Sequence, residues 1–341
     1  MKHMGKWKKH KSIWLWGGLA VFLAVLAGAV QFGNYEMKTG DILGVISAHL
    51  RGNTWPDASL DTIVWEIRLP RILTAAMTGV ALSISGAVFQ GVFRNPLVEP
   101  YVLGVSSGAA FGAAASIVFS WGFLTKNAAA FLFAVLAMLL AYGMAYSREN
   151  MPVVRLILSG MIVSAVFTAL LNFLKVMASD SKLREITFWT MGGFYTAEWE
   201  GAVRLFLLTL GGLVLIWGCG WKLNVLAMGD AEARSLGIHT GRLKFVLILA
   251  ATFLTASCVA ESGIISWVGL MVPHAARMIL GPDHRYMIPF SACLGGIFMV
   301  ICDTLARTLI MGELPVSILT SVLGAPYLIF LLRHNRKVYF E

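Results

Sequence analysis

The chain has 341 residues, 58% of them hydrophobic and only 13% charged, and a mean hydropathy of +0.75. Soluble domains carry about 25% charged residues, so too few polar side chains remain to cover a globule of this size, and a soluble fold is excluded. The net charge of +9 is not gathered into one soluble face, which argues against a nucleic-acid partner.

Apolar runs of about 20 residues, rather than alternating strands of about 10, predict helices that cross a membrane. Ten spans are expected, near residues 12–33, 70–93, 102–121, 127–146, 153–178, 201–221, 243–261, 264–280, 287–308 and 315–333. The first follows a basic tail, 1–11, with Lys2, Lys6, Lys8, Lys9 and Lys11. Such a start, with Ala27-Gly28-Ala29, also fits a cleaved secretory signal. The run from Ile13 to Phe32 is longer than a signal core and long enough to cross. With the amino terminus in the cytoplasm, the inner segments hold 17 of the 27 Lys and Arg but 6 of the 18 Asp and Glu. That is the bias of the positive-inside rule.

Arg68-Leu69-Pro70-Arg71 opens the second span, where proline suits a first helical turn because its missing N–H would be unpaired anyway. The two arginines fit lipid headgroups or, through their planar forks, a partner's carboxylates. Between spans 2 and 3, Arg94-Asn95-Pro96-Leu97-Val98-Glu99-Pro100 forms a turn, and Gly104, Gly108 and Gly112 follow at intervals of four. This stripe permits close helix contact; the Asn95–Pro96 turn also fits a narrow inner constriction. Outer segments are expected at 34–69 and 179–200.

The longest inner loop, 222–242, reads as two short helical turns. Asp230 is a candidate N-cap able to pair with Arg234, and Gly237 a candidate C-terminal stop. Either it is a solvated connector, or it is a small helix made for a partner's groove. Pro273 and Pro326 lie inside spans, where neighbouring helices must satisfy the freed carbonyls. Asp303 and Arg307 can pair at i,i+4. The four cysteines fall in apolar runs without metal-ligand spacing and read as small hydrophobes. A Walker loop, an HExxH helix and a GxSxG elbow are all missing, as is a convincing proton relay. The chain therefore looks like a transporter powered from outside itself, not an enzyme. An ion-coupled secondary transporter acting without an ATPase is the alternative, and a membrane scaffold or receptor a second one.

Taken in order, RLPR, RNPLVEP-x2-LG, A-x-G-x4-R-x-LG, VGLMVP-H-x2-R, GPDHR, ELP and GAP resemble the FecCD family over about residues 60–333. These are permease subunits of ABC importers for iron–siderophore, haem and cobalamin. The resemblance implies an all-α polytopic membrane protein of about ten transmembrane helices, the type II ABC importer permease architecture. It implies a single permease domain over residues 1–341, working as a homodimer or close heterodimer in the lipid of a bacterial or archaeal cytoplasmic membrane, both termini cytoplasmic. Two ATPase subunits would dock on Leu226, Gly229, Asp230, Glu232, Arg234, Leu236 and Gly237. An extracytoplasmic binding protein would meet Arg68, Arg71 and Arg307. Asn95, Pro96, Leu97, Pro152 and Val153 would lie near the inner gate. No cofactor is expected in this chain; ATP-Mg belongs to the partners. Val98 and Tyr101 stand where smaller residues are common, and no residue discriminates among the substrates.

Overall fold

The computed structural model describes residues 2–33, 35, 37–122, 124–146, 153–309 and 312–334. Fifteen α-helices run through them, and no strand occurs among the described residues. In order they are α1 (Lys2–Ala29), α2 (Thr39–Leu50), α3 (Ala58–Asp61), α4 (Leu69–Phe93), α5 (Val105–Phe119), α6 (Lys126–Ala145), α7 (Val153–Met177) and α8 (Asp180–Met191). Then follow α9 (Trp199–Gly218), α10 (Gly220–Met228), α11 (Asp230–Ser235), α12 (Thr240–Ser262), α13 (Val268–Leu280), α14 (His284–Thr308) and α15 (Val316–His334). Each predicted span coincides over most of its length with one of these helices. Among the described residues seven stretches are long and apolar enough to cross a membrane, and the apolar helices Val105–Phe119, Val268–Leu280 and Val316–Ile329 are shorter. The first helix begins at Lys2, so the basic tail continues the span as helix.

α4 is the axis of the bundle. It is apolar all round and buried along nearly its whole length, the pattern of a helix enclosed by protein rather than lipid. α9, α12, α13 and α14 pack against it, while α5, α6 and α7 form a neighbouring trio. The glycine stripe works as expected: at Gly108 and Gly112 the backbone of α6 comes so close that a Cβ would strike the carbonyls of Phe133 and Ala129.

At about 1.5 Å per residue, α5 and α13 reach roughly 20 Å, short of a bilayer core of about 30 Å. Two irregular stretches of backbone complete their paths: a 3-10 turn at Pro100–Leu103 before α5, and residues 263–267 before α13. They satisfy each other. The Tyr101 hydroxyl donates to the Ile265 carbonyl (2.8 Å), and the Trp267 N–H donates to Glu99 Oε1 (3.0 Å). Non-helical backbone is tolerated between membrane helices where protein groups such as these answer it in place of water.

Prolines inside helices are answered in a similar way. Pro273 withholds the N–H that would reach Gly269, and Gln90 of α4 donates to the Leu270 carbonyl (3.0 Å) and, at 3.5 Å, to Gly269. Gly86 makes that approach feasible, since a Cβ there would lie 1.7 Å from the Gly269 oxygen. Pro289, within α14, frees the Arg285 carbonyl, which accepts from the Trp217 indole of α9 (2.8 Å). Pro70 corrects the expectation of a helix start. The helix is continuous from Ala58, through a π-helical stretch at Thr62–Arg68. In i→i+5 geometry Pro70 leaves the Trp65 carbonyl unpaired, and the Trp199 indole donates to it (2.9 Å).

Candidate functional site

Candidate residues gather at both ends of the bundle. At the end predicted to be outer, Arg68, Arg71 and Arg307 are 4%, 6% and 7% exposed, so none is a free fork on the surface. Arg68 donates to the carbonyls of Val30 (2.6 Å), Gln31 (3.3 Å) and Tyr35 (2.8 Å). Arg307 donates to Ala29 (2.8 Å). These are the last carbonyls of α1 and its exit, which have no intrahelical partner, and cations suit that negative end of the helix dipole. Arg71 joins two other segments: its Nε donates to Asp303 Oδ1 (2.9 Å) and a terminal nitrogen to Glu313 Oε1 (2.8 Å). Asp303 is 1% exposed, whereas Glu313 is 44% exposed. Asp303 Oδ2 also lies 3.5 Å from Arg307 Nε, so the expected i,i+4 pair is one edge of a larger cluster.

At the other end, α10 and α11 form a knob. Leu223, Leu226 and Ala233 face inward and are fully buried. Asp230 Oδ2 accepts from Lys244 of α12 at 2.6 Å. Two expectations need correcting here. Gly229, not Asp230, occupies the N-cap, and Asp230 is the first helical residue. Its partner is Lys244 rather than Arg234, because the first turn of α11 turns Asp230 toward α12. Gly237 does stop the helix. Its φ of +76° suits only glycine without strain, and the bonds from Gly237 N to Arg234 O (2.9 Å) and Ile238 N to Ala233 O (3.0 Å) make a Schellman turn. The opposite face is open: Glu232, Arg234, Ser235 and Leu236 are exposed.

A polar joint fixes this knob to the spans. Asn224 of α10 donates to Asp283 Oδ1 (2.7 Å) and accepts from the His284 backbone N–H (2.8 Å), while the His284 ring Nδ1 lies 2.7 Å from the same Asn224 oxygen. Hydrogen bonds from the Arg285 and Asn224 side chains hold the Asp283 carboxyl well below the usual carboxylate range. Gln90, which answers the α13 carbonyls, also accepts from Arg277 (3.0 Å). Asn224, Asp283 and Gln90 were not singled out from sequence; GPDHR was the only signal there.

The predicted gate residues Asn95, Pro96 and Leu97 form a turn after α4, exposed at Asn95 and Leu97 and closed by the Leu97 N–H donating to Asn95 Oδ1 (2.9 Å). Val153 begins α7, and Pro152 lies outside the described residues. No group of acidic, His and Cys side chains able to hold a metal occurs among the described residues.

A model of the FecCD transport family matches residues 19–334. The chain belongs to that family. It is 36% identical over 313 residues to the molybdate import system permease protein MolB of Haemophilus influenzae, covering 91% of this chain and 92% of the relative. The cobalamin import permease BtuC of Halobacterium salinarum is 40% identical over 272 residues, 80% and 73% of the two chains. Hemin permease HmuU of Yersinia pestis is 34% identical over 327 residues, 93% and 95%. A solved inward-facing metal-chelate type ABC transporter superposes with a TM-score of 0.84 at 33% identity, over 94% of this chain and 99% of the other. Membership of the FecCD family makes this chain a multi-pass membrane permease of the ABC importer type.

Proposed function

We propose that the chain is the permease of a binding-protein-dependent importer that carries an iron chelate, haem or cobalamin across the cytoplasmic membrane. Two copies form the pathway between them, both termini facing the cytoplasm, as one permease domain per chain. Two ATPase subunits hold ATP-Mg and do the hydrolysis; this chain contributes no cofactor. The single observation that carries the reading is the α10–α11 knob, anchored by Ala233, the Lys244–Asp230 pair and the Asn224 joint, yet open on its far face at Glu232, Ser235 and Leu236. A lever needs both properties: a free face for the motor and a stiff root in the spans. ATP-driven closure of the motors tilts the knob, Asn224 passes that movement to the start of α14, and the populations of inward- and outward-open states shift.

At the opposite end a binding protein's glutamates would exchange with Glu313, the half-exposed partner of Arg71, which keeps Asp303 throughout. The turn at Asn95–Leu97 and the start of α7 at Val153 serve the inner gate.

The test is ATPase activity stimulated by the loaded binding protein, in vesicles holding the whole importer. Leu236→Glu on the open face should abolish stimulation while the complex-free chain stays folded. Stimulation as strong as in the unchanged chain would refute the lever. Ligand identification on the cognate binding protein then selects among the three substrate classes.

A further inference from the structure

α1 is held to the bundle along one side only. Trp14 meets Phe290 of α14 edge-on at 6.3 Å, Gly18 faces the same ring, and Phe22 lies over Gly296. Between α1 and α9 runs a groove of about 410 Å³ lined by Leu15, Leu19, Phe22, Leu210 and Leu213, with Trp16 and Trp217 flanking it. Trp16 and Trp217 are 70% and 52% exposed. The groove opens sideways between helices that cross the membrane, where hydrocarbon is the solvent.

Its mouth is charged. Lys11 stands one turn before Leu15 on α1, and Tyr286 one turn before Pro289, which also lines the groove. The Lys11 ammonium sits 5.1 Å from the centre of the Tyr286 ring, and the Arg285 guanidinium 5.9 Å from it. Asp283 pairs with Arg285 at 2.7 Å, and among the described residues no carboxylate lies within ion-pair distance of Lys11. Two cations therefore face one carboxylate at the entrance to an apolar slot, and tryptophans mark the interfacial level.

We propose that this groove binds one anionic phospholipid, its acyl chain between α1 and α9 and its phosphate on Lys11 and the open edge of Arg285. A zwitterionic headgroup would set its ammonium against the surplus positive charge, and a fully apolar occupant would leave Lys11 unanswered. The lipid closes the side of α1 that no helix covers. It also lies against Trp217, whose indole holds the Arg285 carbonyl beside the Asn224 joint.

Native mass spectrometry of the purified full chain, supplied with equal amounts of phosphatidylglycerol and phosphatidylcholine, tests this. One phosphatidylglycerol per chain should be retained in preference. Lys11→Gln should cut that preference by roughly fivefold, the effect of one basic residue at a membrane surface, without altering the melting temperature of the delipidated chain. Leu19→Trp, on the half-open side of α1, should fill the slot and lower retention of both lipids. Equal retention of the two lipids, retention unchanged in both variants, or a second protein copy displaced by Leu19→Trp in place of lipid would each overturn the assignment.

Discussion

At the Arg71 end, three guanidiniums and the Asp303 carboxylate are turned into the fold, and each arginine ties together segments distant in sequence. At the α11 end, Glu232 and Arg234 are exposed, while Asp230 turns inward to Lys244. The two ends carry similar charges in opposite employment: the first holds the spans in register, the second offers a face. Motif residues of one family thus divide into those whose loss damages the fold and those whose loss leaves it standing.

Substitution should separate the two ends, beginning with the most damaging change. Asp303→Ala leaves Arg307 buried without a carboxylate and Arg71 with only the half-exposed Glu313, and should cost about 3 kcal/mol, the lower end of the penalty for breaking a buried pair. Thermal unfolding in detergent measures it; a loss below about 1 kcal/mol would mean that the cluster is not structural. Reversal of Arg71 to Glu adds a third carboxylate beside Asp303 and Glu313, so weaker docking in that variant would mostly report a damaged fold. Glu313→Gln is the cleaner probe: it leaves the Arg71–Asp303 pair intact and should alter binding-protein affinity in a salt-dependent way.

Next in size are the proline answers. Trp217→Phe should cost about 1.5 kcal/mol, the upper end for one hydrogen bond, because the Arg285 carbonyl loses its donor at a half-exposed site. In a Pro289→Ala background the helix regains its own N–H, so the same substitution should cost much less. Equal costs in both backgrounds would show that the indole merely packs.

Smaller still, Gly237→Ala should cost about 1–2 kcal/mol through backbone strain alone, since no atom lies within 4 Å of the added Cβ. Leu236→Glu and Glu232→Lys, on the open face, should stay within about 0.5 kcal/mol in stability while removing ATPase stimulation. Asp283 should contribute no pH dependence between about pH 5 and 8. A depressed carboxyl adds stability that is present above its unfolded pKa and is lost only as the pH falls through the folded value. The same pH dependence of melting temperature in Asp283→Asn as in the unchanged chain across that range would bear this out.

Much of this was legible in the sequence because its cause is local. Apolar run lengths gave a helix in every predicted span, Gly108 and Gly112 marked a close crossing, and Gly237 a helix end. What escaped were partnerships across the chain. Trp217 and Arg285 are 68 residues apart, Trp199 and Trp65 are 134, and Gln90 and Leu270 are 180. Nothing in the pattern around a proline names the side chain that will serve its orphaned carbonyl. Periodicity likewise offered Arg234 to Asp230 as an i,i+4 neighbour, because Lys244 becomes adjacent only once α11 folds back on α12. The apolar run at 264–280 hid the extended stretch before Val268 for the same reason: its pairing with Glu99 and Tyr101 is tertiary.

The most direct measurement is solute accumulation in sealed vesicles containing this chain, with and without its ATPase and binding protein. Uptake should require all three components together with ATP. Accumulation against a gradient by the chain alone would contradict a permease driven through the α10–α11 knob.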